Sequence, residues 1–168
     1  RSFKHNCQVA ALCVSAHCET HGTRVSPQPT PRTIHDFYGF PREIYDVRYP
    51  CPGNPALAEE IVGLFGGAVA PDDTWGIDHG AWSVLRRMYP EAHIPVVQLS
   101  LDYRKTAGRH FEAARALASL RDRGVLIVGS GNLVHNLRLM RYSPNAAPYD
   151  WAASFDETVS RLIGERRY

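Results

Sequence analysis

Residues 9 to 17 read Val9-Ala10-Ala11-Leu12-Cys13-Val14-Ser15-Ala16-His17. Six small or branched apolar residues come without a charge, and Ser15, Ala16 and His17 then lead into polar sequence. So short and apolar a run suits a strand buried on both faces, as in a parallel sheet. The pattern predicts a strand over residues 8 to 16, with His17 at its carboxyl end. Open α/β sheets bind ligands beyond that end of their strands. His17 is therefore a candidate functional residue, although a satisfied histidine in a strand-end turn fits the same pattern.

The segments around this strand set the fold class. Ile94 to Leu101 reads as a second buried strand, with Pro95 tolerable only near its start. Val125 to Val128 reads as a third, ending in Gly129-Ser130-Gly131-Asn132. Asn54-Pro55 opens a helix, Asn as its cap and Pro in its first position. Leu57, Ile61, Leu64 and Phe65 give that helix one apolar face, and Gly66-Gly67 ends it. Asp78 caps a helix from His79 to about Met88, with Ala81, Leu85 and Met88 inward and Pro90 as its stop. Thr106 caps another to about Arg123, with Ala113, Leu117 and Leu120 inward and Gly124 beyond. A last helix, Trp151 to Gly164, carries Phe155, Val159, Leu162 and Ile163 on one face. Residues 1 to 7 have no periodicity. Residues 18 to 53 hold six prolines, which exclude a long helix, but their aromatic and branched residues argue for an ordered segment. Strands alternating with helices predict an α/β fold: one domain over 1–168, with a mostly parallel central sheet flanked by helices.

Composition narrows the function. The 168 residues are 44% hydrophobic and 21% charged, ordinary for a globular protein, and enough for a sizeable core. A net charge of +2 gives no electrostatic case for nucleic acid or an anionic membrane. No apolar run approaches the roughly 20 residues that span a bilayer. Cys7, Cys13, Cys18 and Cys51 form no C-x-x-C pair, which suits free thiols in a reducing, cytoplasmic setting and not a thiolate metal site. Arg1 in first place suggests a processed or partial chain.

The eight histidines are the unusual feature. His17 and His135 each follow a strand, and parallel strands would bring both to one edge of the sheet. Imidazole is both a common metal ligand and a common general acid or base. A histidine site without thiolates suits Fe(II), zinc or another borderline metal. Spacing alone does not say which histidine binds metal and which moves protons. His79, in Trp75-Gly76-Ile77-Asp78-His79-Gly80, sits in the first turn of a helix, where the dipole disfavours its protonated form. His35, in Thr33-Ile34-His35-Asp36-Phe37, could line a pocket. Asp78 and His79 equally suit a helix-capping pair. The glycine turn after the third strand lacks the features of a phosphate loop or a nucleophile elbow. Its glycines let the backbone turn sharply, which would aim His135.

Six stretches in order carry a resemblance. They are Ser15-Ala16-His17, Thr33 to Pro41 (TIHDFYGFP), Tyr49-Pro50-Cys51-Pro52-Gly53, Trp75 to Gly80, Pro95 to Ser100, and Ser130 to Leu137 (SGNLVHNL). Together they resemble the class III extradiol ring-cleavage dioxygenases, LigB-like, in the branch that acts on DOPA, over about residues 9 to 163. The resemblance implies a non-haem enzyme that opens a catechol ring beside its hydroxyls with O2. It implies Fe(II), with zinc in some relatives, and no partner beyond these small molecules except another copy of the chain. By resemblance His17 is a metal ligand, His135 and His79 are catalytic, and His35 and Asp78 are substrate-binding candidates. Cys18 stands where the family has an aromatic residue. The family pattern also places a ligand in a Gly-His-Gly-Ser-Pro-like segment before the first strand, and another past the last helix. Neither segment lies in these 168 residues, so the expectation is a partial domain. A non-catalytic relative with an incomplete metal site and a metal-dependent hydrolase are the competing readings.

Overall fold

The computed structural model describes residues 9–141, 143 and 145–167. His5, Cys7 and the irregular start lie outside the described residues. The chain divides after Gly131 into two compact units.

The first unit is built on a five-stranded sheet. Its strands are β1 (Ala10–Thr20), β2 (Thr23–Val25), β3 (Val69–Pro71), β4 (Val96–Asp102) and β5 (Val125–Ser130), in the order β3-β2-β4-β1-β5. β1 is parallel to both β4 and β5, and β2 is parallel to β3. Only the β2–β4 contact, through Val25 and Leu99, is antiparallel. The mostly parallel α/β architecture follows the sequence reading. Pro95 falls just before β4, where the ladder does not require its missing N–H.

The opening strand is longer than its apolar run. It continues to Thr20, so His17 lies inside it and not past its end. The extension is irregular. Val14 faces Leu99 and Glu19 faces Leu101, so five steps on β1 match two on β4. The surplus is a bulge over Ser15 to Cys18, which lifts Ala16 and His17 into exposure while Ser15 and Cys18 stay buried.

The helices are α1 (Arg42–Tyr45), α2 (Pro55–Leu64), α3 (His79–Met88), α4 (Ala107–Ala114) and α5 (Ala118–Asp122). The Asn54 carboxamide caps α2 by accepting the Leu57 N–H at 3.0 Å. Asp78 caps α3 by accepting the Ala81 N–H at 2.9 Å. The helix expected from Thr106 to Arg123 is interrupted by a 3-10 turn at Arg115–Leu117. Leu117 and Leu120 are still buried on the sheet. Met88, expected to face inward, is 47% exposed. Trp82 is buried beside Ala81 and Leu85.

Two apolar layers cover the sheet. On one face Leu12, Val97 and Leu99 pack with Leu57, Ile61, Leu117 and Leu120. On the other, Ala11, Cys13 and Val96 pack with Ile77, Trp82, Leu85 and Tyr49. Up to Val14, alternation along β1 sends even-numbered residues to the first layer and odd-numbered residues to the second. Each fully buried leucine or isoleucine contributes about 1.5–3 kcal/mol.

The proline-rich stretch joins the second layer, by bonds that sequence patterns do not show. The Ile34 N–H donates to Ile77 O, and the Ile77 N–H to Arg32 O, both at 2.8 Å. The Tyr49 N–H donates to Thr33 Oγ1 at 2.9 Å, and the Gly53 N–H to Pro29 O at 2.8 Å. A side chain at Gly53 would meet the Gln28 carbonyl, so only glycine allows that approach. Cys13, Cys18 and Cys51 are free, buried thiols. No helix among the described residues is long and apolar enough to cross a membrane.

The second unit holds a 3-10 turn at Leu137–Leu139 and α6 (Asp150–Gly164). The apolar face expected for α6 is only partly covered: Phe155 is 50% and Ile163 57% exposed.

Candidate metal centre and substrate cleft

The bulge in β1 presents His17 to the start of α3. There His79 is the first helical residue, and its ring centroid lies 4.0 Å from that of His17. Asp36 approaches from the proline-rich stretch. Its Oδ1 accepts the His79 N–H at 2.9 Å and lies 2.8 Å from His79 Nδ1. A carboxylate can only accept, so Nδ1 is the donor to Asp36 and Nε2 is the ring nitrogen left for another partner. One candidate ligand atom from each of His17, Asp36 and His79 lies within 4.8 Å of the other two. His17 is exposed, whereas the other two side chains are largely covered.

The ground beneath this group is polar and buried. Asp78, which precedes His79, is wholly buried. Its Oδ1 holds the α3 N-terminus, and its Oδ2 accepts from Gln98 Nε2 at 2.6 Å. The Asp78 N–H in turn donates to Gln98 Oε1 at 3.2 Å. Burial pushes the Asp78 carboxyl above the usual range; its hydrogen bonds oppose this, and the Asp36 charge adds to it. Gly80 follows His79. A Cβ at Gly80 would lie 2.5 Å from Ser15 Oγ and 2.9 Å from His17 Cδ2. The close approach of α3 to β1 therefore depends on a missing side chain. Ser130, at the end of β5, donates through Oγ to the Gly80 carbonyl. Gly131 is also needed for close packing, since a Cβ there would stand 2.9 Å from that of Ala16.

A cleft of about 310 Å³ adjoins His79. Phe37, Phe40, Ile44, Val47 and Trp82 wall it, with Ser83, Arg86 and Arg87 farther along α3. Trp82 is fixed by donating Nε1–H to Ile34 O at 2.8 Å. The ring of Phe37 stands edge-on to His79, with centroids 5.2 Å apart. Such a cleft suits a flat aromatic ligand.

His17 and His79 are thus brought together, and Asp78 supports them from beneath. His35 lies outside this group. Its Nε2–H donates to Val47 O at 3.0 Å, and its ring packs 5.8 Å from that of Trp82. It props the aromatic wall. His135 belongs to the second unit, where it lines a hollow with Leu133, Trp151 and Phe155. Sequence reasoning missed Asp36, although it lies next to His35 in a stretch already singled out. It also missed Gln98, which looked like one more residue of a buried strand.

The donors are two imidazoles and a carboxylate. Burial pushes the neighbouring Cys18 thiol up to about 12, so it stays protonated and is a poor ligand. An oxygen-and-nitrogen set without thiolates suits a borderline metal, although the Asp36–His79 hydrogen bond already occupies one atom of each of those two residues. The residues therefore fit a metal-dependent α/β protein with an aromatic ligand site. The chain belongs to the LigB family, described as the catalytic LigB subunit of aromatic ring-opening dioxygenase, whose model matches residues 10–167.

Relatives agree. The chain is 52% identical over 152 residues to a 4,5-DOPA dioxygenase extradiol of Escherichia coli K12, a match covering 89% of this chain and 56% of the relative. It is 42% identical to a Beta vulgaris protein of the same name, covering 95% of this chain and 60% of that one. The crystal structure of an uncharacterized Escherichia coli K12 protein superposes with a TM-score of 0.77 at 46% identity, covering 93% of this chain and 59% of that one. The chain thus spans less than two thirds of the length of these relatives.

Proposed function

We propose that the protein containing this chain is an Fe(II)-dependent extradiol dioxygenase that opens the ring of a catechol such as DOPA with O2. The observation that carries the reading is the convergence of His17, Asp36 and His79 beside an aromatic cleft. Family membership and relatives named for DOPA cleavage support it. The metal would supply a place where catechol and O2 meet. His17 is the proposed ligand from this chain. His79 acts through Nε2 as the base that takes a catechol proton, with Asp36 holding its tautomer. His135 is the second proposed proton carrier. His35 and Asp78 serve the substrate indirectly, one by bracing the aromatic wall, the other by fixing the start of α3. Phe37 and Trp82 give the ring an apolar wall and exclude water.

The test uses the full-length protein, loaded with Fe(II) without oxygen and mixed with L-DOPA. On admitting air, a yellow ring-opened product and matching oxygen uptake are expected. Zinc loading in parallel should give neither. Ester hydrolysis without oxygen uptake would replace this reading with a hydrolase. Replacing His17 by Ala should weaken iron binding, measured by calorimetry. Unchanged iron affinity would remove His17 from the ligand set.

A further inference from the structure

The cleft beside His79 has two unlike ends. α3 supplies one whole side of it. His79, Trp82, Ser83, Arg86 and Arg87 follow at i, i+3, i+4, i+7 and i+8, a single stripe along the helix. Seven residues at about 1.5 Å each place Arg86 roughly 10 Å along the axis from His79. The stripe therefore runs from an imidazole through an indole to two guanidinium groups.

The guanidinium groups are uncommitted. Arg104, Arg115, Arg123 and Arg161 are each paired with a carboxylate. Among the described residues, Arg86 and Arg87 have no such partner. Both are exposed at the rim of the cleft. Arginine is suited to binding carboxylates with two parallel hydrogen bonds.

We propose that Arg86 and Arg87 select catechols that carry a carboxylate on the side chain opposite the hydroxyls, by binding that carboxylate at the far end of the cleft. The inference rests on the ring-cleavage reading for the other end. The hydroxyls lie toward His79, the ring lies against Phe37 and Trp82, and the anion reaches the last turn of α3. A neutral alkylcatechol fills the same walls but leaves the arginines to water. A cationic side chain is repelled. The expected preference is DOPA or 3,4-dihydroxyphenylpropanoate over 4-ethylcatechol, and 4-ethylcatechol over dopamine.

The experiment measures that order with the full-length, iron-loaded protein and its Arg86→Gln/Arg87→Gln variant. The ratio of kcat/KM for 3,4-dihydroxyphenylpropanoate to that for 4-ethylcatechol should fall about tenfold, as loss of a charge-assisted hydrogen bond implies. Arg86→Lys/Arg87→Lys should restore part of it. Arg86→Glu/Arg87→Glu should shift the preference toward dopamine. Anaerobic calorimetry with the same ligands gives the ratio of affinities without turnover. A preference that survives the glutamine variant, with only the melting temperature lowered, would show that the arginines merely complement the carboxyl end of α3, and would overturn the proposal. If the wild-type protein cleaves no catechol at all, the ring-cleavage reading fails, and the calorimetric ratio alone decides the role of the arginines.

Discussion

The two faces of the central sheet are covered in different ways. One is sealed by α2 and the α4–α5 segment with aliphatic side chains. The other carries α3 and the proline-rich stretch. Buried among its apolar residues are Ser15, Asp78 and Gln98. The first face contributes apolar burial and little else. The second gives up some of that burial to polar groups that must be bonded in pairs. In return, the backbone there is fixed closely enough to aim two imidazoles and a carboxylate at one point. The candidate metal centre sits on the face whose packing is least regular.

Four substitutions bear on this contrast. Leu12→Ala removes a wholly buried side chain from the aliphatic face. It should cost about 2–5 kcal/mol in urea unfolding while leaving metal affinity per folded molecule unchanged. A matching loss of metal affinity would mean that the two faces are not separable. Asp36→Ala should do the reverse. It frees the His79 ring and should lower metal affinity or turnover about 10–100-fold, with little change in melting temperature. If neither affinity nor turnover moves, Asp36 has no part in the site. The smallest effects come from a pair of helical glycines. Gly80→Ala presses on Ser15 and His17, and overpacking of this kind costs about 1–3 kcal/mol, offset by about 1 kcal/mol of helix propensity. Gly63→Ala in α2 meets nothing within 4 Å and should stabilise by about 0.5–1 kcal/mol. Thermal unfolding of both variants gives the comparison, and equal signs would refute it.

Much of the aliphatic face was legible in the sequence. Its strands are apolar runs, and α2 announces itself by the Asn54 cap, Pro55 and the spacing of Leu57 and Ile61. The polar face was legible only in part. His17 and His79 stood out as histidines beside a strand and a helix cap. β2 and β3 did not, because three residues are too few for alternation to show. The order in residues 26–53 comes from backbone bonds to distant partners such as Ile77, which no local pattern encodes. Asp36 passed unnoticed because its partner is 43 positions away. Gly80 read as an ordinary helix residue, since a steric requirement appears only when β1 is beside it.

The bulge in β1 has one more consequence, a matter of parity. A strand keeps a two-residue rhythm, and an even surplus would leave that rhythm intact. The surplus here is three, so the rhythm inverts. Up to His17 the odd positions face α3, from Ala11 and Cys13 through Ser15 to His17 itself. After it the even positions do, and Cys18 and Thr20 reach Gln98 and Ser100. Without the inversion Glu19 would point at that layer, and an unpaired carboxylate would lie beside Asp78. With it, Glu19 is exposed to water, and one strand can both present His17 at its bend and close its core immediately beyond.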